Sequence, residues 1–522
     1  MNTAEFLDIS AMVLPDRPAL ICEGRTRTYA ETAAEVTRLA TALQGLGVQR
    51  GDHVGIMSVN SAEYVIAYYA CAKLGATYVP LNYRAKQEEL AYMVNTAEVK
   101  VLFISDRYHD LVSAIQPSLK TVQHYVSLGT PQAGQIGYAA LLARGNDDPP
   151  YVEIDDNDAS IIIYTSGTTA MPKGVVITFQ GLTVYVTNTM TPADPEAEHE
   201  TTLVSVPLFH IAGATAMVSA MWGGRTLVIL PQFSPEIWMH SVDAYKVSHS
   251  MVVPTMLKRI MDHGDFSHFD GSSLKLIAYG AAPMPYEVVR RAIDVFACGL
   301  MNAYGQTEST SSISFLGPDD HVLTGTPDQI ALKERRLRSV GKIMDDIDLA
   351  IMDPSGASLK SGDEGEICIR SARGMAGYYK QEDATASAIQ AGWLHTGDVG
   401  YVDGDGYLFI TGRTKDLIIR GGENIAPGEI EDVLEQHPDI DEAAVIGVDD
   451  VEWGEVVKAV VVPRAHAKPL TLDVLRDYCK GRLASYKAPQ YLAVVGELPR
   501  NHMGKVLKND LRKLHGKPEN EY

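Results

Sequence analysis

The run Tyr164-Thr-Ser-Gly-Thr-Thr-Ala-Met-Pro-Lys-Gly174 gathers hydroxyls, glycine and one lysine directly behind an apolar strand, Ile161-Ile162-Ile163. A loop of this make-up can wrap a polyphosphate. Gly167 permits close backbone approach, backbone N–H groups turn inward, and Thr165, Ser166, Thr168 and Thr169 supply hydroxyl donors. Lys173 adds a point charge. It is not a Walker A loop, because Pro172 stands where that motif needs Gly, and Gly174 where it needs Ser or Thr. A Ser/Thr-rich surface loop is the plainer reading, and it suits shorter runs than this.

Asn302-Ala-Tyr-Gly-Gln-Thr-Glu308 is a second such stretch. Tyr304 offers an aromatic face for a base, Thr307 a hydroxyl for a phosphate, and Glu308 a hard oxygen ligand for Mg²⁺. In Tyr279-Gly-Ala-Ala-Pro283, the small Gly280, Ala281 and Ala282 let a flat ring lie against the backbone, though an ordinary strand-to-helix turn reads the same way. Asp398, in Trp393-Leu-His-Thr-Gly-Asp398, is a carboxylate that can accept two hydrogen bonds from a vicinal diol such as ribose, with Arg413 as a second contact. His210 closes Pro207-Leu-Phe-His210 at a strand end, where a histidine lines a pocket or simply packs; His395 reads as structural. Taken alone, Pro499–Lys508, which contains Lys505, is a solvated basic turn.

Alternating strands and helices must position these groups. Val36, Leu39, Ala40, Leu43 and Leu46 stand at helical spacing, and Ser61 caps a second helix before Gly75. Val54–Met57, Tyr78–Leu81, Val101–Ile104, Leu203–Val206, Thr226–Leu230, Met251–Val253 and Leu274–Ala278 read as strands. This is the pattern of a layered α/β fold with parallel pairing. The first 150 residues read as scaffold, and 130–158 as a linker or surface excursion. From 340 the alternation of Ile347, Leu349 and Ile351 predicts antiparallel strands, as a small barrel or distorted sheet. A separate α+β rhythm begins after Gly412-Arg-Thr-Lys-Asp416, which places a domain boundary at Lys415: residues 1–414 and 415–522. The polar tail Lys513–Tyr522 is expected to fray.

The 522 residues exceed one core and the net charge is -21, which argues against nucleic acid as a partner. The five cysteines are scattered without a C-x-x-C pair, as in a reduced, cytoplasmic protein, and neither a metal cluster nor a disulfide frame is expected of them. No signal peptide or run of membrane-spanning length is visible.

These separated motifs, taken in their order along nearly the whole chain, resemble the adenylate-forming superfamily of acyl-CoA synthetases, aryl-CoA ligases, luciferases and carrier-protein adenylation domains. The resemblance implies a large N-terminal part, a small mobile C-terminal domain hinged at Lys415, and ATP, Mg²⁺ and CoA as cofactors. By it, residues 165–169 and Lys173 hold the phosphates, and adenine lies between Tyr304 and the 280–282 strand end, beside Asn302. Thr307 meets the α-phosphate, Glu308 the metal, and Asp398 and Arg413 the ribose. Lys505 becomes the mobile catalytic lysine, and Gly421-Gly422 flanks the pantetheine path, although a hairpin turn explains that pair equally well. His210, Gly280 and Gly305 border the acid. Ala170 departs from the family's usual glycine.

Acetate-using relatives carry Trp at the position of Gly305, so an open pocket and a longer acid are expected here. Gly317-Pro-Asp-Asp-His321 and Arg336-Leu-Arg-Ser-Val-Gly341 look most like bacterial fatty-acyl-CoA synthetases. The expected substrate is therefore a medium- or long-chain fatty acid. An aryl acid such as a cinnamate or benzoate is the alternative, followed by loading of a carrier protein, a non-catalytic nucleotide-binding relative and, remotely, a luciferase-like oxygenase. Association as a homodimer is left open.

Overall fold

The computed structural model describes residues 2–165, 171–421, 423–501 and 504–522. Ser166, Gly167, Thr168, Thr169, Ala170 and Gly422, singled out above, lie outside the described residues. Among the described residues the strands form four sheets.

Two of the sheets are mainly parallel and carry the N-terminal part. One has nine strands, of which Gly299–Gln306, Leu276–Gly280, His249–Val252, Thr201–Val204, Thr226–Ile229 and Pro18–Cys22 run parallel in that spatial order. The other has eight and is built around Ala159–Thr165, His53–Met57, Thr77–Pro80 and Val99–Ile104. The triple isoleucine explains the position of its strand. Side chains alternate across a strand, so Ile161 and Ile163 enter one core while Ile162 and Tyr164 enter another on the opposite face. Each isoleucine buried in this way is worth about 1.5–3 kcal/mol.

Helices cover these sheets where the pattern places them. Tyr29–Gly45 begins at a reciprocal cap: the Glu31 N–H donates to Thr28 Oγ1 at 3.1 Å and the Thr28 N–H to Glu31 Oε2 at 2.8 Å. Its Val36, Leu39, Ala40 and Leu43 are buried. The 130–158 segment is more ordered than a linker. Ile136–Gly137 adds an edge strand to the eight-stranded sheet and leads into the helix Tyr138–Leu142, anchored by buried Leu141.

A five-stranded antiparallel sheet follows, with Trp393–Val402 pairing Gly365–Arg370, Ile389–Gln390 and Leu408–Arg413. The single turn Thr414–Asp416 then leads into the C-terminal sheet. That sheet is dominated by the long hairpin Ile440–Asp450 and Gly454–Pro463, with Tyr491–Val494 added in parallel. The two parts touch directly: Lys258 Nζ donates to Asp441 at 2.9 Å, and the helix Pro427–Leu434 packs against Leu408–Arg413.

The tail is docked, contrary to the expectation of fraying. Lys458 is wholly buried, and its ammonium donates to the Lys517 carbonyl at 2.9 Å and to Glu521 Oε1 at 2.5 Å. Glu521 also bridges Leu492 and Val494 through its backbone, and pairs His515 at 2.6 Å. A buried ammonium costs several kcal/mol unless it is paired, so the polar tail is held by a charge that needs it.

Candidate active site

Asp398 is the centre of the site. It lies buried in Trp393–Val402 and is paired in register with Arg413 on the neighbouring strand. Arg413 Nε donates to Asp398 Oδ1 at 2.6 Å, and the Tyr304 hydroxyl donates to Oδ2 at 2.7 Å. Three sequence-predicted residues from distant segments therefore meet on one carboxylate. Burial works against the Arg413 charge, but Asp398 outweighs it and holds the guanidinium firmly protonated.

The turn carrying Lys505 approaches this cluster from the C-terminal domain. Asn501 holds both sides of the turn: its N–H donates to the Lys505 carbonyl at 2.9 Å, and its side chain accepts the Lys505 N–H at 3.0 Å. Gly504 has φ +78, and a Cβ there would meet Thr255 of the N-terminal part at 2.9 Å. Glycine before the lysine is thus required by the turn and by the interface. Burial first and the Arg413 cation next push the Lys505 ammonium down, with Lys415 adding to the effect and Asp398 and Asp416 opposing it, to a net value of about 8. Lys415 is lowered for the same reasons, burial first. Arg413, Lys415 and Lys505 thus crowd two carboxylates, Asp398 and Asp416, and Asp416 is already engaged by Arg512 at 3.1 Å. Such a site favours an additional anion.

This geometry sets a pH dependence. In the free enzyme Lys505 is a cation below about pH 8 and loses its proton above it. Acid activation, followed as kcat/KM, is expected to fall as pH rises through that value, and Lys505→Arg is expected to push the falling limb beyond the accessible alkaline range.

Thr307 and Glu308 form the turn Thr307–Ser309 that ends Gly299–Gln306. The Glu308 carbonyl accepts the Met375 N–H at 2.8 Å, and its carboxylate Oε1 accepts the Tyr378 hydroxyl at 2.9 Å. Lys173 Nζ sits 4.8 Å over the same Tyr378 ring. Tyr378 therefore joins the lysine of the hydroxyl-rich loop to the candidate metal carboxylate. Among the described residues only Glu308 Oε1 is engaged, and a second carboxylate oxygen suits Mg²⁺, which keeps most of its water.

Tyr378 was missed in the sequence, as was Arg373. Arg373 is fully buried, with Nε 2.6 Å from Asp346 and Nη1 donating to the Ser312 carbonyl at 2.7 Å and to those of Ser309 and Thr310 at 3.4 Å. It braces the strained segment after Glu308, where Thr310 and Ser311 take φ of 51 and 82.

Other expected residues are placed as follows. Gly280, at the end of Leu276–Gly280, faces the Ala303 carbonyl, 2.2 Å from where a Cβ would stand, and Ala281 next to it has φ 67. Asn302 pairs with Tyr279 in the neighbouring strand. His210 caps the helix Ile211–Trp222, its ring 4.5 Å from Phe209. Gly421 turns a hairpin at φ +58 with the Trp453 ring 2.9 Å from its Cβ position, so the hairpin alone requires a glycine there. Gly305 corrects an expectation. A Cβ at Gly305 would stand 2.0 Å from the Ser311 carbonyl, at a bulge between Gly299–Gln306 and Ser311–Leu316. The backbone as it stands here leaves no room for a Cβ, so the glycine is explained without reference to the length of the acid.

A two-part chain whose C-terminal lysine is turned toward a buried carboxylate oriented by an arginine and a tyrosine has the architecture of an adenylate-forming enzyme. The AMP-binding enzyme family matches residues 7–379, and the AMP-binding enzyme C-terminal domain matches 429–505. The chain belongs to this family. It is 33% identical over 516 residues to an indoleacetate–CoA ligase of Aromatoleum aromaticum, covering 98% of each. It is 32% identical to a long-chain-fatty-acid–CoA ligase of Mycobacterium tuberculosis, covering 94% of this chain and 93% of that one. Its fold is similar to that of o-succinylbenzoate coenzyme A synthetase from Bacillus subtilis, solved with ATP and a magnesium ion, at TM-score 0.82, 30% identity and coverage of 97% and 99%. The protein is an ATP-dependent, AMP-forming acid–CoA ligase with ATP, Mg²⁺ and CoA as its cofactors. Among the described residues no helix is long and apolar enough to cross a membrane.

Proposed function

We propose that this ligase activates a medium- or long-chain carboxylic acid, and that Lys505, Asp398, Arg413, Thr307, Glu308 and Lys173 are the residues that do so. The observation that carries the assignment of residues is Lys505 beside Asp398 and Arg413. A carboxylate is a poor electrophile because its leaving group would be oxide. In the first half-reaction a carboxylate oxygen attacks the α-phosphorus, the bond to pyrophosphate breaks, and a mixed anhydride forms. In the second, the CoA thiolate attacks the acyl carbon and AMP leaves.

Asp398 would accept the ribose hydroxyls, with Arg413 and Tyr304 holding its orientation. Tyr304 and the Gly280–Ala282 strand end would enclose adenine, with Asn302 beside them. Thr307 would donate to the α-phosphate, and Lys173 with the neighbouring loop would bind the β- and γ-phosphates. Glu308 would hold Mg²⁺, which when bound neutralises phosphate charge. Lys505 stabilises the negative charge that builds between carboxylate and α-phosphate. Rotation about Lys415 would then withdraw Lys505, break the Lys258–Asp441 bridge, and bring Gly421 and Gly422 to the thiol path.

The acid class rests on a cavity of about 410 Å³ beside the Pro207–His210 segment. Tyr83, Phe233, Val253 and Met256 give it apolar walls, and Arg84, Arg259 and Arg500 stand at its polar side. Asn60, Ser205, Gln232, Thr255 and Asn501 add further polar groups, so the cavity gives room for an extended acid beside charged and polar side chains. The similarity to an indoleacetate–CoA ligase favours an aryl acid as the second reading. A panel running from octanoate to palmitate, with indoleacetate, cinnamate and benzoate, separates them when acyl-CoA formation is followed by mass spectrometry. Highest kcat/KM on the aliphatic acids supports the first reading. Preference for an aryl acid replaces it, and acyl transfer to a carrier protein but not to CoA would contradict both.

A further inference from the structure

One side-chain cluster has donor chemistry that acid activation does not use. Glu366 and Cys368 lie on Gly365–Arg370, and Cys368 stands opposite His395 on Trp393–Val402. A register shift between Glu366 and Cys368 bends the strand there. His395 Nδ1 is 2.8 Å from Glu366 Oε2 and 3.5 Å from Cys368 Sγ, and the three ligand atoms lie within 4.8 Å of one another. Among the described residues no other three His, Cys, Asp or Glu side chains converge so closely.

The arrangement is not a nucleophile relay. A relay needs the two imidazole nitrogens to face different partners. Here one nitrogen faces both the sulfur and the oxygen, so the three donor atoms gather on one side of the imidazole. Bonds of about 2.3 Å to sulfur and about 2.05 Å to nitrogen at a tetrahedral angle set those atoms about 3.5 Å apart. That is the separation found between Cys368 and His395. The 2.8 Å contact to Glu366 is a hydrogen bond, and need only open by about half an ångström to reach a tetrahedral spacing. The Glu366 and His395 side chains are 25% and 18% exposed, so their outer side admits solvent while the thiol closes the inner side.

We propose that Glu366, Cys368 and His395 bind a thiophilic divalent cation of the Zn²⁺ class, with water as the fourth ligand. Binding releases the thiol proton to solvent, and the imidazole presents a bare Nδ1 with its proton on Nε2. Glu366 Oε1 also accepts the N–H of Gly397, next to Asp398, at 3.1 Å. The cation would therefore lie behind the candidate active site without sharing a ligand with it, and the proposal stands apart from the choice of acid.

Titrating the metal-stripped full-length protein with Co²⁺ tests this directly. A thiolate-to-cobalt charge-transfer band saturating at one equivalent, and displaced by Zn²⁺, is expected. Cys368→Ser should lose the band, and His395→Gln should weaken Zn²⁺ binding at least tenfold by calorimetry. Absence of the band, its persistence in Cys368→Ser, or equal Zn²⁺ affinity in His395→Gln would overturn the site. The histidine variant keeps the test decisive if the buried serine prevents folding.

Discussion

Lys505→Ala is expected to lower acid-dependent adenylation by about 10²–10³-fold or more, the usual cost of losing one preorganised group that stabilises transition-state charge. The same variant should convert supplied acyl-adenylate and CoA to thioester at close to the wild-type rate. The difference between the two half-reactions carries the argument. Lys505 belongs to a turn pressed against Thr255 and lies among Arg413, Asp398, Lys415 and Asp416. If the C-terminal domain turns about Lys415 between the half-reactions, as proposed above, this charge serves only the first of them. Measuring each half-reaction separately decides the matter: equal losses in both would mean that the substitution disturbs the fold or the interface, not a step of the chemistry.

The second large effect is expected at Arg373. Arg373→Met leaves Asp346 without its buried partner and the Ser309, Thr310 and Ser312 carbonyls without the guanidinium donor. Breaking a buried ion pair from one side costs about 3–5 kcal/mol. Urea denaturation should show a loss of that order. The surviving folded enzyme should show a KM for MgATP raised at least tenfold, since Thr307 and Glu308 stand at the head of the strained segment that Arg373 braces. Asp346→Asn keeps a neutral acceptor and should be milder on both measures. A KM for MgATP unchanged in Arg373→Met would make this arginine purely structural.

What the sequence made legible follows from where the signal lies. The triple isoleucine and the capped helices are local, and periodicity and capping residues find them. Asp398, Arg413 and Tyr304 each stood out by residue type, but only the paired strands bring them onto one carboxylate. Tyr378 and Arg373 carry no local mark. Tyr378 acts because the two-residue strand Gly377–Tyr378 pairs with Val175 and Val176, some two hundred positions earlier in the chain. Arg373 looks like one more surface arginine until three backbone carbonyls close around it. Gly305 misled for a related reason: its meaning lay in the Ser311 carbonyl across the bulge, not in the space before it. The tail misled because a polar composition does not reveal a buried Lys458 waiting for a carboxylate.

Exchange of labelled pyrophosphate into ATP, with acid present and CoA absent, tests adenylation in this cradle most directly. Label should enter ATP only when a carboxylic acid is supplied, should need Mg²⁺, and should vanish in Lys505→Ala. Exchange that requires CoA, or that proceeds unchanged without Lys505, would contradict it.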